Sequence, residues 1–161
     1  MTVHSVPQSA NLSEDPDFFD LLTGSFARIV GRSLVGEGHA GKARGPHWLY
    51  HDAPFAVLAH NTDADPRFIY ANRTAQRCFE YGWDEFITLP SRLSAEAPDR
   101  AERQRLMESV TRNGFISDYR GVRISRTGRR FWIESGIVWQ LIDRDGTLCG
   151  QAATFSGWTD V

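Results

Sequence analysis

The sequence predicts an α+β fold: a five-stranded antiparallel sheet with short helices on one face and a helical extension at the N-terminus. Three observations carry that prediction. Five β-prone runs stand at 55–60, 68–71, 116–125, 131–142 and 148–158, bounded by turn residues. Asn72 sits at a switch from a strand-like run to helical spacing. Residues 16–35 repeat apolar side chains at three- and four-residue steps.

Taken in order, residues 1–14 are rich in Ser, Asn and Gln and read as a tail. Asp15-Pro16 opens a helix, because Pro is tolerated in the first turn. Phe18, Leu21, Leu22, Phe26, Ile29, Val30 and Leu34 then form one apolar face. Residues 36–45 carry four further glycines after Gly31 and read as a flexible linker. The expected organisation is therefore tail and amphipathic helix (1–35), linker (36–45) and folded domain (46–161). Pro46 starts a short helical segment through His51. The runs 55–60 and 68–71 form a hairpin around the turn cluster 61–66. Asn72 is placed to cap the helix carrying Ala75, Cys78 and Phe79, and Tyr81-Gly82 stops it. Pro98 begins a longer helix that Asn113-Gly114 ends. The last three runs form a meander joined by two Gly-containing turns. In the middle run, Phe131, Ile133, Ile137, Trp139 and Leu141 share parity and are expected on one face. Gly136 marks a place for a bulge.

The 161 residues suit one domain, and 41% hydrophobic content is enough to build a core. A net charge of −2 supplies no global field toward nucleic acid or anionic lipid, so neither is expected as a partner. No apolar run reaches the roughly 20 residues of a membrane span. Two cysteines, Cys78 and Cys149, make no disulfide framework. With no signal-peptide pattern at the start, a cytoplasmic setting is the expectation.

Several motifs invite a chemical reading. Residues 36–42 match most of a P-loop, but Ala43 replaces the required Ser or Thr, and no strand–loop–helix frame surrounds it. His47 and His51 stand at i and i+4, a metal-ligand spacing, but a third ligand could come from His60 only if the fold brought it near, and no metal is expected. Cys78 with His60 could form a thiolate pair; packing as a small hydrophobe is the better reading. Arg120, Arg123, Arg126, Arg129 and Arg130 resemble a nucleic-acid stripe, yet strand alternation divides them between faces. Tyr70, Tyr119, Trp139 and Phe155 either line a ligand pocket or fill the core. Arg92 is either an anion anchor at the pocket mouth or a surface loop arginine. His60 and Asn72 complete the set of candidate pocket residues.

The stretches 53–60 (Ala-Pro-Phe-Ala-Val-Leu-Ala-His), 68–72 (Phe-Ile-Tyr-Ala-Asn), 89–96 (Leu-Pro-Ser-Arg-Leu-Ser-Ala-Glu), 102–106 (Glu-Arg-Gln-Arg-Leu) and 150–158 (Gly-Gln-Ala-Ala-Thr-Phe-Ser-Gly-Trp) resemble the MEKHLA domain. That family is PAS-like, and the N-terminal helix is similar to its small stand-alone bacterial version. The resemblance implies a sensory or protein-interaction module without catalysis, with a small ligand between sheet and helices. The flavin-photosensor string Asn-Cys-Arg-Phe-Leu-Gln is absent, and residues 98–112 offer no haem histidine, so no cofactor is named. Two other readings stand beside it: a small enzyme with His60 as acid or base, and a ligand-free scaffold. The apolar face of residues 16–35 is expected to pair with a second copy in a homodimer, rather than fold back on its own sheet.

Overall fold

Asp15 starts the first helix as the sequence implies. Its carboxylate accepts from the Phe18 N–H at 2.8 Å, and Pro16 occupies the first turn. In the computed structural model, which describes residues 11–41 and 43–161, this helix α1 spans Pro16–Val30. It is shorter than expected, because Gly31 takes the left-handed conformation at φ 85° and closes it. Among the described residues four more α-helices follow: α2 (Gly45–His51), α3 (Arg73–Phe79), α4 (Trp83–Phe86) and α5 (Ala97–Asn113). The strands are β1 (Ala56–His60), β2 (Phe68–Ala71), β3 (Phe115–Ile124), β4 (Arg130–Ile142), β5 (Leu148–Phe155) and β6 (Gly157–Asp160).

All strand pairs are antiparallel, in the order β2-β1-β5-β4-β3. The expected fifth strand is one run broken at Ser156, so that β5 and β6 pair with successive parts of β4. Helices α3, α4 and α5 cover one face of the sheet, called here the inner face. Helices α1 and α2 cover the other.

Two irregularities decide which side chains reach which face. Ser135 adopts φ 51° beside Gly136, and the β3–β4 register shifts opposite it. A bulge reverses strand parity beyond it. Phe131 and Ile133 therefore pack on the inner face, whereas Ile137, Trp139 and Leu141 pack under α1. The expectation that all five share a face fails for this reason, although a bulge at Gly136 was legible. The second irregularity lies between β1 and β2, where His60 pairs with Phe68 but Ala59 pairs with Tyr70. Ile69 is the extra residue, so Phe68 points inward and Tyr70 joins the α1 side.

Helix α1 lies on its own sheet. Phe18, Phe19, Leu22 and Phe26 are buried there, and the Phe26 ring meets Trp139 edge-on at 4.8 Å. The fold-back alternative is thus the observed packing within the chain, and it covers most of the apolar face that motivated a homodimer through this helix, with Ile29 and Val30 left partly exposed. The segment 36–41 is not a featureless tether: Glu37–His39 forms a 3-10 turn, and His39 stacks on Trp48 at 3.9 Å. Gly45 is required where this segment meets α1, since a Cβ there would fall 2.4 Å from the Phe19 ring. Leu12 is buried and Glu14 is paired, so the chain is held from Leu12 onward. The earlier part of the expected tail, residues 1–10, and Lys42 of the rejected P-loop lie outside the described residues.

Candidate functional site

A cavity of about 70 Å³ lies between the inner face of the sheet and α5. Leu58 and Phe68 from the hairpin, Ile133 from β4, Phe155 from β5 and Leu106 from α5 make its walls apolar. Seven polar residues line it: His60, Ser94, Arg103, Tyr119, Arg123, Gln151 and Thr154, whose hydroxyl already donates to the Ala56 carbonyl. Among the described residues, no carboxylate and no cysteine lines it.

His60 ends β1 on the inner face and is partly buried. Its Nδ1 lies 2.9 Å from the Asn61 carbonyl, so the bonded tautomer donates there and leaves Nε2 as the acceptor. Burial lowers its pKa from 6.5 to about 4, and the Arg103 charge adds to that. The ring is therefore neutral near pH 7.

Tyr119 and Arg123 alternate along β3 and share a face with Gly121. A Cβ on Gly121 would fall 2.0 Å from the Tyr119 hydroxyl, so the glycine makes room for the ring. That hydroxyl donates to the Glu102 carboxylate at 3.1 Å. Arg123 sits over the Tyr119 ring at 5.4 Å and donates to the Val122 carbonyl at 2.8 Å. Arg103, from α5, donates to Ser91 Oγ at 2.6 Å. Gln151, from the central strand β5, has a buried Oε1 with no hydrogen-bond partner.

The seven residues expected at a pocket divide. His60, Tyr119 and Phe155 meet at this cavity. Tyr70 and Trp139 lie on the opposite face, turned there by the two bulges described above; Tyr70 packs on Phe18 at 5.4 Å. Asn72 is fully buried and serves structure. Its Oδ1 accepts from Ala75 and Val57 N–H at 3.0 Å, and its Nδ2 donates to the Leu49 and Phe55 carbonyls. Arg92 is a surface arginine, half exposed and paired with Asp65 at 3.2 Å.

Sequence reasoning missed Arg103 and Gln151. Arg103 looked like one more charge on a helix dense in Arg and Glu. Gln151 stood out as a long polar side chain among Gly150, Ala152 and Ala153, a signal that was present but unread. Arg123 shares strand parity with Tyr119, so its inward direction could have been found.

A second polar cluster forms outside the cavity. Glu14 bridges His47 (2.7 Å) and His51 (3.3 Å), and the three donor atoms lie within 4.8 Å of one another. The sequence offered the histidine pair without its acid, because Glu14 is 33 residues away from His47. Hydrogen bonds to the two imidazoles hold the Glu14 carboxyl below its ordinary range. His60, considered as a third ligand for that pair, lies at the cavity instead.

Comparison with known families matches the MEKHLA domain model over residues 16–160. Among solved structures, a PAS domain from Colwellia psychrerythraea superposes with a TM-score of 0.62 at 11% identity, covering 75% of this chain and 98% of that one. An RNA-binding light-oxygen-voltage receptor gives 0.61 at 20% identity, with 79% of this chain matched to 36% of the receptor. The light-oxygen-voltage domain of Aureochrome1 gives 0.52 at 17% identity, over 66% and 75% of the two chains. At these identities the likeness is one of fold. Comparison with curated proteins finds no match.

Another similar structure is that of a light-oxygen-voltage domain studied with a flavin analogue. The residues here do not fit a flavin photosensor. Neither cysteine lines the cavity, and burial pushes the Cys78 thiol up to about 12. The cavity volume of about 70 Å³ is also far below the roughly 300–1,000 Å³ of sites for larger ligands.

Proposed function

The chain belongs to the MEKHLA domain family, and from that premise we propose that it is a sensory module that binds a small molecule between α5 and its sheet, without catalysis. The cavity carries this reading: an apolar enclosure with a few converging polar side chains is the usual form of a small-molecule site. Its cover is the movable part. Among the described residues of α5, Leu106 and Val110 are the buried apolar side chains, while the rest of the helix is largely charged or polar. A ligand that prefers one packing of α5 shifts the population toward it and changes the surface a partner meets.

Native mass spectrometry of the protein from its own host tests the proposal, together with hydrogen exchange along α5. A co-purifying mass, and slower exchange in α5 when it is bound, are expected. An unliganded protein whose α5 protection is unmoved by any small molecule would reject it.

The catalytic alternative rests on His60, the strongly perturbed group at the cavity. Its shift favours the neutral form, which makes it a weak base near pH 7, and the described lining supplies no carboxylate or thiol to act with it. The sensory reading accounts for the same histidine as a neutral hydrogen-bond acceptor.

A further inference from the structure

We infer that the cavity is built for a small monocarboxylate with an apolar body, gripped by Arg103 and Arg123. The inference rests on the reading of the cavity as a ligand site and names the ligand's chemistry. Arg103 is 8% exposed and Arg123 6%, and both line the cavity. Among the described residues, neither makes an ion pair with a carboxylate; Arg103 donates to Ser91 Oγ, and Arg123 to the Val122 carbonyl and the Tyr119 side chain, all neutral partners. Buried charges are ordinarily paired, because an uncompensated one is costly to desolvate.

The surrounding charges do not remove the imbalance. Burial first, and then the Arg123 charge, lower the Arg103 pKa to about 10. Asp65 attracts Arg103 but is engaged by Arg92. Glu102 lies nearby and accepts from Tyr119. His60 is neutral and contributes no charge of either sign at pH 7.

A carboxylate supplies the missing partner, since its two oxygens match the forked donors of a guanidinium. The apolar walls ask for a hydrocarbon body, and 70 Å³ limits it to a short one. Gln151 adds a further term: its unpartnered Oε1 accepts a hydrogen bond, so a hydroxyl or N–H on the ligand gains a bond there. Inorganic phosphate lacks the hydrocarbon body that the apolar walls ask for.

The test is thermal shift and calorimetry of the full chain with straight-chain carboxylates from propionate to hexanoate, benzoate and their hydroxy derivatives. The matching neutral amides and inorganic phosphate serve as comparators. Carboxylates are expected to bind saturably, and Arg103→Met to weaken them roughly tenfold or more. Hydroxy acids are expected to bind more tightly than their parents, an increment that Gln151→Leu removes. Removing an uncompensated charge should also leave ligand-free Arg103→Met at least as thermostable as the wild type. Should that variant fail to fold, Arg123→Met reads the same loss. Amides binding as well as carboxylates, phosphate binding better, or carboxylate binding unchanged in the arginine variants would overturn the anion assignment and leave the cavity reading standing. A wild-type chain that binds no probe, charged or neutral, overturns both.

Discussion

The Trp139 indole N–H donates to Ser25 Oγ across 3.1 Å, from the middle of β4 to the N-terminal helix. Both residues are fully buried. Ser25 in turn donates to the Leu21 carbonyl at 2.6 Å. This chain of bonds fixes α1 on the sheet at one rotation and height, which apolar packing alone would leave less defined.

Ser25→Ala removes the acceptor and leaves a buried N–H unpaired. The expected loss is about 1–3 kcal/mol, the usual penalty for an orphaned buried donor. Urea denaturation measures it. An unchanged midpoint would show that the bond does not hold the helix.

Phe26→Glu with Ile29→Glu separates the two possible homes of α1. Phe26 is 2% exposed within the chain's own core. A buried unpaired carboxylate there should abolish cooperative unfolding rather than release a folded monomer. Sedimentation combined with near-ultraviolet circular dichroism reads the outcome. A well-folded monomeric variant of a dimeric wild type would return the helix to an intermolecular seam.

Asn72→Ala should cost more than a lost helix cap. The side chain ties α2, the start of β1 and α3 together through four hydrogen bonds. The expected loss is about 3 kcal/mol, above the ~1 kcal/mol typical of a cap. Asn72→Asp retains the acceptor but loses both donors, so it should be destabilised as well. A loss of 1 kcal/mol or less in a thermal melt would reduce Asn72 to a simple cap.

His60 makes stability depend on pH on the acid side. Its native pKa of about 4 lies below the ordinary 6.5, so between these values the unfolded chain binds more protons. Stability from this group is therefore complete above about pH 6.5 and is lost as pH falls toward 4. The full swing is up to about 3 kcal/mol for a difference of this size. In His60→Gln the acid limb of the stability curve should flatten by a comparable amount. An unaltered limb would mean that His60 is already hydrated in the native state.

The element order was readable because it depends on local signals. Asp15-Pro16 opens α1, Asn72 caps α3, and Gly114 closes α5 at φ 87°. The candidate site was only partly readable. His60, Tyr119 and Phe155 met at the cavity, whereas Tyr70 and Trp139 did not. The alternation that put Trp139 on one face with Phe131 and Ile133 holds only while the register is unbroken.

The sequence by itself determined the α+β fold, the five β-prone runs, the caps and the family resemblance, because propensity, capping and periodicity act over a few residues. Only the tertiary structure decided where α1 docks, which face Trp139 and Tyr70 take, and which polar groups gather in the cavity. A one-residue bulge such as that at Ser135 reverses a strand's faces without changing its composition. The two buried arginines come from α5 and β3, twenty positions apart in the chain, and meet only when the helix closes over the sheet. Their burial without an ion pair to a carboxylate, among the described residues, is a property of that closure, and no local pattern encodes it.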